Sequence, residues 1–413
     1  MTHKIAMVWS RSKFLIQGVL LAMPYLSLLL LMLTDRLKRR RILVLYLPRP
    51  IHIAHISPVL DRLRGNPRLS FYVARERGQG QGGYGRLGIP AHRFFDRRLS
   101  RLALPVDLLL SVGLPVYAAT RVDKVYIAHG RPTKVEMFPK EWFESVNVHF
   151  LNSPLQREHT LRTIEHHALQ GKSIKLFNIG YPKSDALLRG DYSRQGVLES
   201  VGLDPSKPTV LYAPSWNEGL SLRYYGDKIF EKMLSVQGVN VIAKLHPVCY
   251  LLPEPPRIDG GINWVQRLRK FETYGNFRHL SEFSENIDPL LEASDVMVTD
   301  LSGVALEFLI LDKPVVYIDC PEFWDKKLGS EYGFYWTTSP RGMRDNPEAN
   351  GGRHCGVVVE NIEDLPPAIV RSVTYPGEFS DKRRTFSKQL VYNPGRAAEA
   401  AAAKILELLD GKA

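Results

Sequence analysis

Residues 295–319 read DVMVTDLSGVALEFLILDKPVVYID, and this stretch decides the fold. Val296 to Val298 is a short apolar run. Thr299 to Gly303 is small and polar, and apolar residues then recur at helical spacing from Val304 to Leu311 until Lys313-Pro314 stops the helix. Val315 to Ile318 is a second strand-like run. Two apolar strands joined by a helix predict a right-handed parallel crossover, and in such sheets ligands collect at the carboxyl ends of the strands. The turn Thr299-Asp300-Leu301-Ser302-Gly303 is therefore the first candidate site. Its hydroxyls and the first amides of the helix suit an anion, because those N–H groups lack intrahelical partners and the helix dipole favours negative charge. We read the turn as a diphosphate cradle. An Asp/Ser helix cap would use the same residues, and the turn alone leaves both readings open.

Working outward, strands and helices alternate on both sides of this crossover. Strand-like runs occur at 42–47, 69–76, 106–113, 123–130, 146–154 and 174–185, with a helix ending near Gly65. After the turn-rich segment Gly202 to Pro208 come a strand at 209, a helix over Gly226 to Leu234, and a strand at 240–247 whose end carries Lys244 and His246. Residues 319–350, rich in aromatics, Pro and Gly, read as loop, and the Ala-rich tail 394–409 reads as a helix able to fold back on the first domain. The expected organisation is a hydrophobic segment with a basic cluster (1–41), a first Rossmann-like domain (42–202), a second one (203–390) and a C-terminal helix (391–413). Two such domains put two strand-end edges across a cleft. Residues 80–85 fit G-x-G-x-x-G, but no helix pattern opens on these glycines, so the segment is expected to be a flexible loop and not a dinucleotide site.

Charge is unevenly placed along the 413 residues. The net charge is +12, yet the first hundred residues hold 18 Lys/Arg against 4 Asp/Glu, so the basic excess is entirely N-terminal. Within that region Phe14 to Leu33 is a run of twenty uncharged residues, followed by Arg36, Lys38, Arg39, Arg40 and Arg41. A run this long can just span a bilayer, which needs about 20 helical residues. Gln17, Gly18, Pro24 and Ser27 weaken a simple spanning helix, so three readings stand: a spanning anchor, a re-entrant or interfacial helix, and a buried core helix. The membrane readings place the soluble part on anionic lipid at the cytoplasmic face. Nucleic-acid binding is disfavoured, because the basic end lacks interleaved aromatics. Cys249, Cys320 and Cys355 are widely spaced, which gives no disulfide framework and no zinc site and points to a reducing compartment.

Five segments carry a family resemblance. His129-Gly130-Arg131-Pro132-Thr133-Lys134 resembles the HGTPLK signature of the CDP-glycerol:poly(glycerophosphate) glycerophosphotransferase family, which makes teichoic-acid and related capsule polymers. Gly180-Tyr181-Pro182-Lys183-Ser184-Asp185 is similar to that family's GYPRND, and Leu211 to Trp216 to its LYAPTW. Lys244-Leu245-His246-Pro247 resembles its RxHP, and Thr299 to Gly303 its TDYSS. The five occur in the family's order. Departures fall at Arg131, Thr133, Lys244, Leu301 and Gly303, and they bear on the donor and acceptor more than on the reaction class. The resemblance implies an α/β fold of two Rossmann-like domains facing a cleft, glycosyltransferase-B-like, with the donor held mainly by the second.

It also implies transfer of a polyol phosphate from CDP-glycerol or a related CDP-polyol to a lipid-linked or polymeric acceptor. No cofactor is expected and no residue is singled out as a metal ligand. In that chemistry an acceptor hydroxyl attacks the phosphorus bearing the glycerol and CMP leaves, so the protein must position phosphates, offset developing charge and remove a proton. His129 is the expected base and His246 the second catalytic histidine, since a histidine exchanges protons near neutral pH. Gly130, Lys134, Lys183, Lys244, Thr299, Asp300, Ser302 and Gly303 are the expected substrate contacts. Lys134 and Lys183 serve equally as solvated lysines, and Glu307 reads either as a ribose or polyol contact or as a helix-surface ion pair. A nucleotide-sugar transferase or epimerase of the same fold, and a non-catalytic membrane-bound partner in polymer assembly, are the alternatives.

Overall fold

The computed structural model describes residues 23–76, 82–101, 103–113, 122–128, 140–250, 262–281, 286–323 and 350–411. Two parallel sheets organise them. The first contains β1 (Arg41–Tyr46), β2 (Leu69–Arg75), β3 (Phe94–Asp96), β4 (Leu108–Ser111), β5 (Asp123–Ile127), β6 (Val148–Leu151) and β7 (Lys175–Asn178), in the order β3-β2-β1-β4-β5-β6-β7. The second contains β8 (Thr209–Tyr212), β9 (Asn240–Ala243), β10 (Phe277–His279), β11 (Val296–Thr299), β12 (Val315–Ile318) and β13 (Val357–Val359), in the order β10-β9-β8-β11-β12-β13. Every pairing is parallel, as strands returning through helices require. Each order reverses once, between β1 and β4 and between β8 and β11, the doubly wound pattern.

The central strands are apolar on both sides because helices cover both faces. In β1, Leu43 and Leu45 face one core while Ile42, Val44 and Tyr46 face another. The first core also takes in the helix Ile53–Leu63 and the C-terminal helix Ala397–Leu409, through Ala398, Ala401, Ile405 and Leu408. In the second sheet Val210 and Tyr212 face a core shared with the helices Asp227–Leu234 and Leu365–Thr374, whereas Leu211 and Ala213 face the helix Gly303–Ile310.

The structure bears on the N-terminal run and on the glycine-rich segment. Leu28 and Met32, in a helix over residues 23–37, are buried against Ile42, Tyr72, Phe95 and Leu104 of the first sheet, so this half of the apolar run packs on the protein. No helix among the described residues is long and apolar enough to cross a membrane; residues 14–22 lie outside them. Of the glycine-rich segment expected to be a flexible loop, residues 80 and 81 lie outside the described residues, whereas Gly82–Leu87 forms 3₁₀ turns and buried Tyr84 donates to the Leu47 carbonyl at 3.0 Å. Strands β3, β10 and β13, three residues each, escaped the sequence reading.

Candidate functional site at the edge of the second sheet

The order of the second sheet reverses between β8 and β11, and the turn after β11 sits at that point. Its five residues divide into two kinds. Thr299 is fully buried and its hydroxyl donates to the Ala213 carbonyl at 2.8 Å, tying the ends of β11 and β8 together. Asp300 is also buried, and its carboxylate accepts from the Ser215 amide (2.8 Å), the Ser221 amide (3.0 Å) and the Ser221 hydroxyl (2.6 Å). Burial pushes the carboxyl up to about 6 even though three donors pull the other way. Both residues, expected among the substrate contacts, bond to the protein's own groups, Asp300 holding the loop that carries Trp216.

Ser302 and Gly303 remain to face a ligand. Both are half-buried, and Ser302 precedes the helix Gly303–Ile310 in extended conformation without its side chain capping that helix. A free hydroxyl thus stands beside first-turn amides with no intrahelical acceptor, the arrangement that binds phosphate.

On the other side of β8, β9 ends at Ala243, and the Lys244 amide bonds to the Tyr212 carbonyl at 3.0 Å. The Lys244 side chain is 8% exposed, with no ion pair or hydrogen bond among the described residues, and its ammonium lies 5.6 Å from the Tyr250 ring centroid. Burial lowers the amine to about 8. Tyr250 braces this corner: its hydroxyl accepts from the Leu245 amide at 3.2 Å and meets His279 Nε2 at 3.0 Å. His279 is pushed down to about 4 by burial and by Lys244. His246 is exposed, its Nδ1 accepts from the Val248 amide at 3.2 Å, and its ring lies 6.2 Å from that of Trp216. The ends of β9, β8 and β11 therefore align a buried amine, a histidine on an indole and a helix start along one edge. Tyr250, Ser221 and His279 were missed from sequence. His279 ends the missed strand β10, while Tyr250, four residues after His246, was within reach of a reading that continued past the motif.

Lys183 is elsewhere. Its ammonium lies 2.5 Å from Asp288 and 2.7 Å from Glu307, all three side chains being at least 94% buried. Burial opposes the charge, but the two carboxylates outweigh it and hold the lysine well above its ordinary range. Lys183, expected among the substrate contacts, is thus enclosed by carboxylates, and Glu307, read as a ribose or polyol contact or a helix-surface ion pair, makes its ion pair below the surface. The whole Gly180–Asp185 segment is a junction. Gly180, at φ +100°, passes so close to the Tyr392 carbonyl that a Cβ would lie 2.2 Å from it. Tyr181 bonds to buried His55 at 2.9 Å, and Asp185 accepts from the Ala397 (2.9 Å) and Ala398 (2.7 Å) amides at the start of the C-terminal helix.

His129, Gly130 and Lys134 lie outside the described residues, immediately beyond β5 and Ala128.

Residues 140–327 match the family model described as CDP-Glycerol:Poly(glycerophosphate) glycerophosphotransferase. A teichoic acid poly(glycerol phosphate) polymerase of Bacillus spizizenii is 26% identical over 168 residues, 38% of each chain. A teichoic acid glycerol-phosphate transferase of Staphylococcus aureus is 24% identical over 168 residues, again 38% of each. The alignments thus span well under half of these relatives. In structure, the chain resembles the wall teichoic acid polymerase TagF with a TM-score of 0.62, 13% identity and 98% of both chains covered. It also resembles a UDP-N-acetylglucosamine 2-epimerase from Listeria monocytogenes, with a TM-score of 0.58, 14% identity and coverage of 90% and 97%. Over residues 140–327 the chain has the sequence pattern of the CDP-glycerol:poly(glycerophosphate) glycerophosphotransferases, on the fold that a wall teichoic acid polymerase shares along its length.

Proposed function

We propose that the protein is a transferase that moves a glycerol-phosphate or related polyol-phosphate unit from CDP-glycerol, or another CDP-polyol, to a hydroxyl of a lipid-linked or polymeric acceptor at the cytoplasmic face of the cell membrane. The observation that carries the reading is the polar edge of the second sheet: the buried Lys244 amine, without an acidic partner among the described residues, shares that edge with the Ser302-Gly303 helix start. An amine buried without a counter-ion is costly, and an anionic ligand would relieve that cost. The family match over 140–327 supports the choice of a CDP-linked donor.

In this reading Ser302 and the first-turn amides hold one phosphate and Lys244 the other, with His246 alongside. The acceptor oxygen forms a bond to the glycerol-bearing phosphorus as the bond from that phosphorus to the CMP oxygen breaks. The acceptor proton passes to His129, and CMP carries away the bonding pair. Positioning and charge stabilisation account for most of such a barrier, and a base contributes roughly 10²- to 10⁴-fold. The test is to incubate the purified protein with an acceptor and either CDP-glycerol, CDP-ribitol or UDP-sugars and assay nucleotide release. CMP from a CDP-polyol is expected; UDP from a sugar donor alone would replace the reading.

A further inference from the structure

The turn after β7 is bonded to both halves of the molecule. Toward the first sheet, the Gly180 amide donates to the Leu151 carbonyl at 2.9 Å, and Tyr181 bonds to buried His55 of the helix Ile53–Leu63. Toward the second, Lys183 meets Asp288 and Glu307, and the Ser184 hydroxyl reaches the same Glu307 oxygen at 3.4 Å. Glu307 is the one charged residue of the helix Gly303–Ile310. It stands about one turn after Gly303, where the candidate phosphate site opens. The helix whose start faces the donor is thereby tied, within its first turns, to a segment anchored on the first domain.

A cluster of this kind is a poor source of stability. Well-packed apolar side chains of similar volume often do as well or better, since the cost of desolvating the charges offsets most of their attraction. What charge adds is position. Apolar neighbours tolerate sliding, whereas one ammonium 2.5 Å and 2.7 Å from two carboxylates satisfies both in one arrangement of the two halves. We propose that Lys183 is a positioning residue for transfer: through Glu307 it fixes the phosphate-binding helix of the second domain relative to the strand ends of the first, which carry the acceptor side of the reaction. The inference rests on the proposed transfer, which draws groups from both sheet edges. A displacement of about 1 Å at such a centre costs up to about 100-fold in rate.

The experiment measures alignment and turnover separately. Spin labels on Leu161→Cys, in the helix Pro154–His166, and on Tyr274→Cys, just before β10, report the separation of the two domains by pulsed electron resonance. Both positions are exposed and the three native cysteines are buried, so the labels go where they are placed. Lys183→Met is expected to broaden the distance distribution and to slow single-turnover CMP release at saturating donor and acceptor roughly tenfold or more, with CMP affinity unchanged. Lys183→Arg, which keeps the charge, should recover much of both. Glu307→Gln should act as Lys183→Met does, more weakly, and serves in its place if the Met variant does not fold. Met233→Ala, a truncation in a core away from the junction, should lower the melting temperature and do neither. An unchanged distribution in every folded variant, or a broadened one with the wild-type single-turnover rate, would overturn the proposal. So would equal slowing in Met233→Ala, which would reduce the effect to lost stability. If the distribution broadens while the wild type releases CMP from no donor, the alignment stands and the transfer reading falls.

Discussion

Lys183 and Asp288 meet at 2.5 Å across the boundary between the two sheets, one from the turn after β7 and the other from the start of the helix Asp288–Ala293. With Glu307 they form a buried three-membered ion cluster that joins the two halves of the molecule. Removing one partner of a buried pair costs about 3–5 kcal/mol, because the remaining charge is left uncompensated. Lys183→Met should therefore lower the unfolding free energy by about that amount in denaturant titration. Nucleotide affinity, measured where the variant is folded, should stay near wild type. A lysine that held phosphate would show the reverse, a loss of affinity with little loss of stability.

Asp185 is the acceptor for two amides of the helix Ala397–Leu409. Asp185→Ala should destabilise by about 1–3 kcal/mol, the cost of leaving buried donors unpaired, and Asp185→Asn by less because one acceptor oxygen survives. Urea melts of the three proteins check the order.

For Lys244 the sign follows from its lowered value. An anion binds the ammonium form, which predominates below about pH 8 and is lost above it. CMP affinity should therefore fall as pH rises through 8, by at most about tenfold per unit. Titration calorimetry across that range on wild type and Lys244→Met tests this: the variant should bind more weakly and lack the inflection.

The Asp300 carboxyl is raised to about 6 from an ordinary value near 3.8. A raised acid contributes stability that is fully present below its unfolded value and is lost as pH climbs through the folded one. Relative to Asp300→Asn, the wild type should therefore gain stability as pH falls from 7 toward 4. Paired denaturant curves at several pH values measure the difference, and a constant offset would refute it.

His129→Ala should slow CMP release roughly 10²- to 10⁴-fold while donor affinity holds, if the residue acts as base. Ser302→Ala and His246→Ala should instead weaken donor binding, each by removing a donor to an anion. Single-turnover kinetics with equilibrium binding separate the two effects.

The strand-turn-helix at 295–319 was legible because its apolar runs are long and its turn is small and polar, and the structure has β11, the helix Gly303–Ile310 and β12 there. What could not be read was the direction of side chains within a motif. Thr299 and Ser302 look equivalent in sequence, yet one ends a strand facing its neighbour and the other opens a helix. Lys183 and Lys244 both follow strands. Whether a lysine meets carboxylates depends on Asp288 and Glu307, more than a hundred residues away. The seating of the helix at 23–37 was hidden for another reason: the helix is apolar on most of its surface, so periodicity could not say which side faced the sheet.

The C-terminal helix has a consequence for the order in which the chain is made. Ala398, Ala401, Ile405 and Leu408 complete the core over β1, and Asp185 holds the start of their helix, yet these residues leave the ribosome after every strand of the second sheet. Domains ordinarily fold as units, the N-terminal one first during synthesis. Here the first sheet is assembled early but waits with an open apolar groove against Ile56 and Leu60 until the second sheet has been translated. A chain stalled between residues 210 and 395 therefore lacks the helix that completes the first core, and that interval is the one in which a nascent chain exposes the groove.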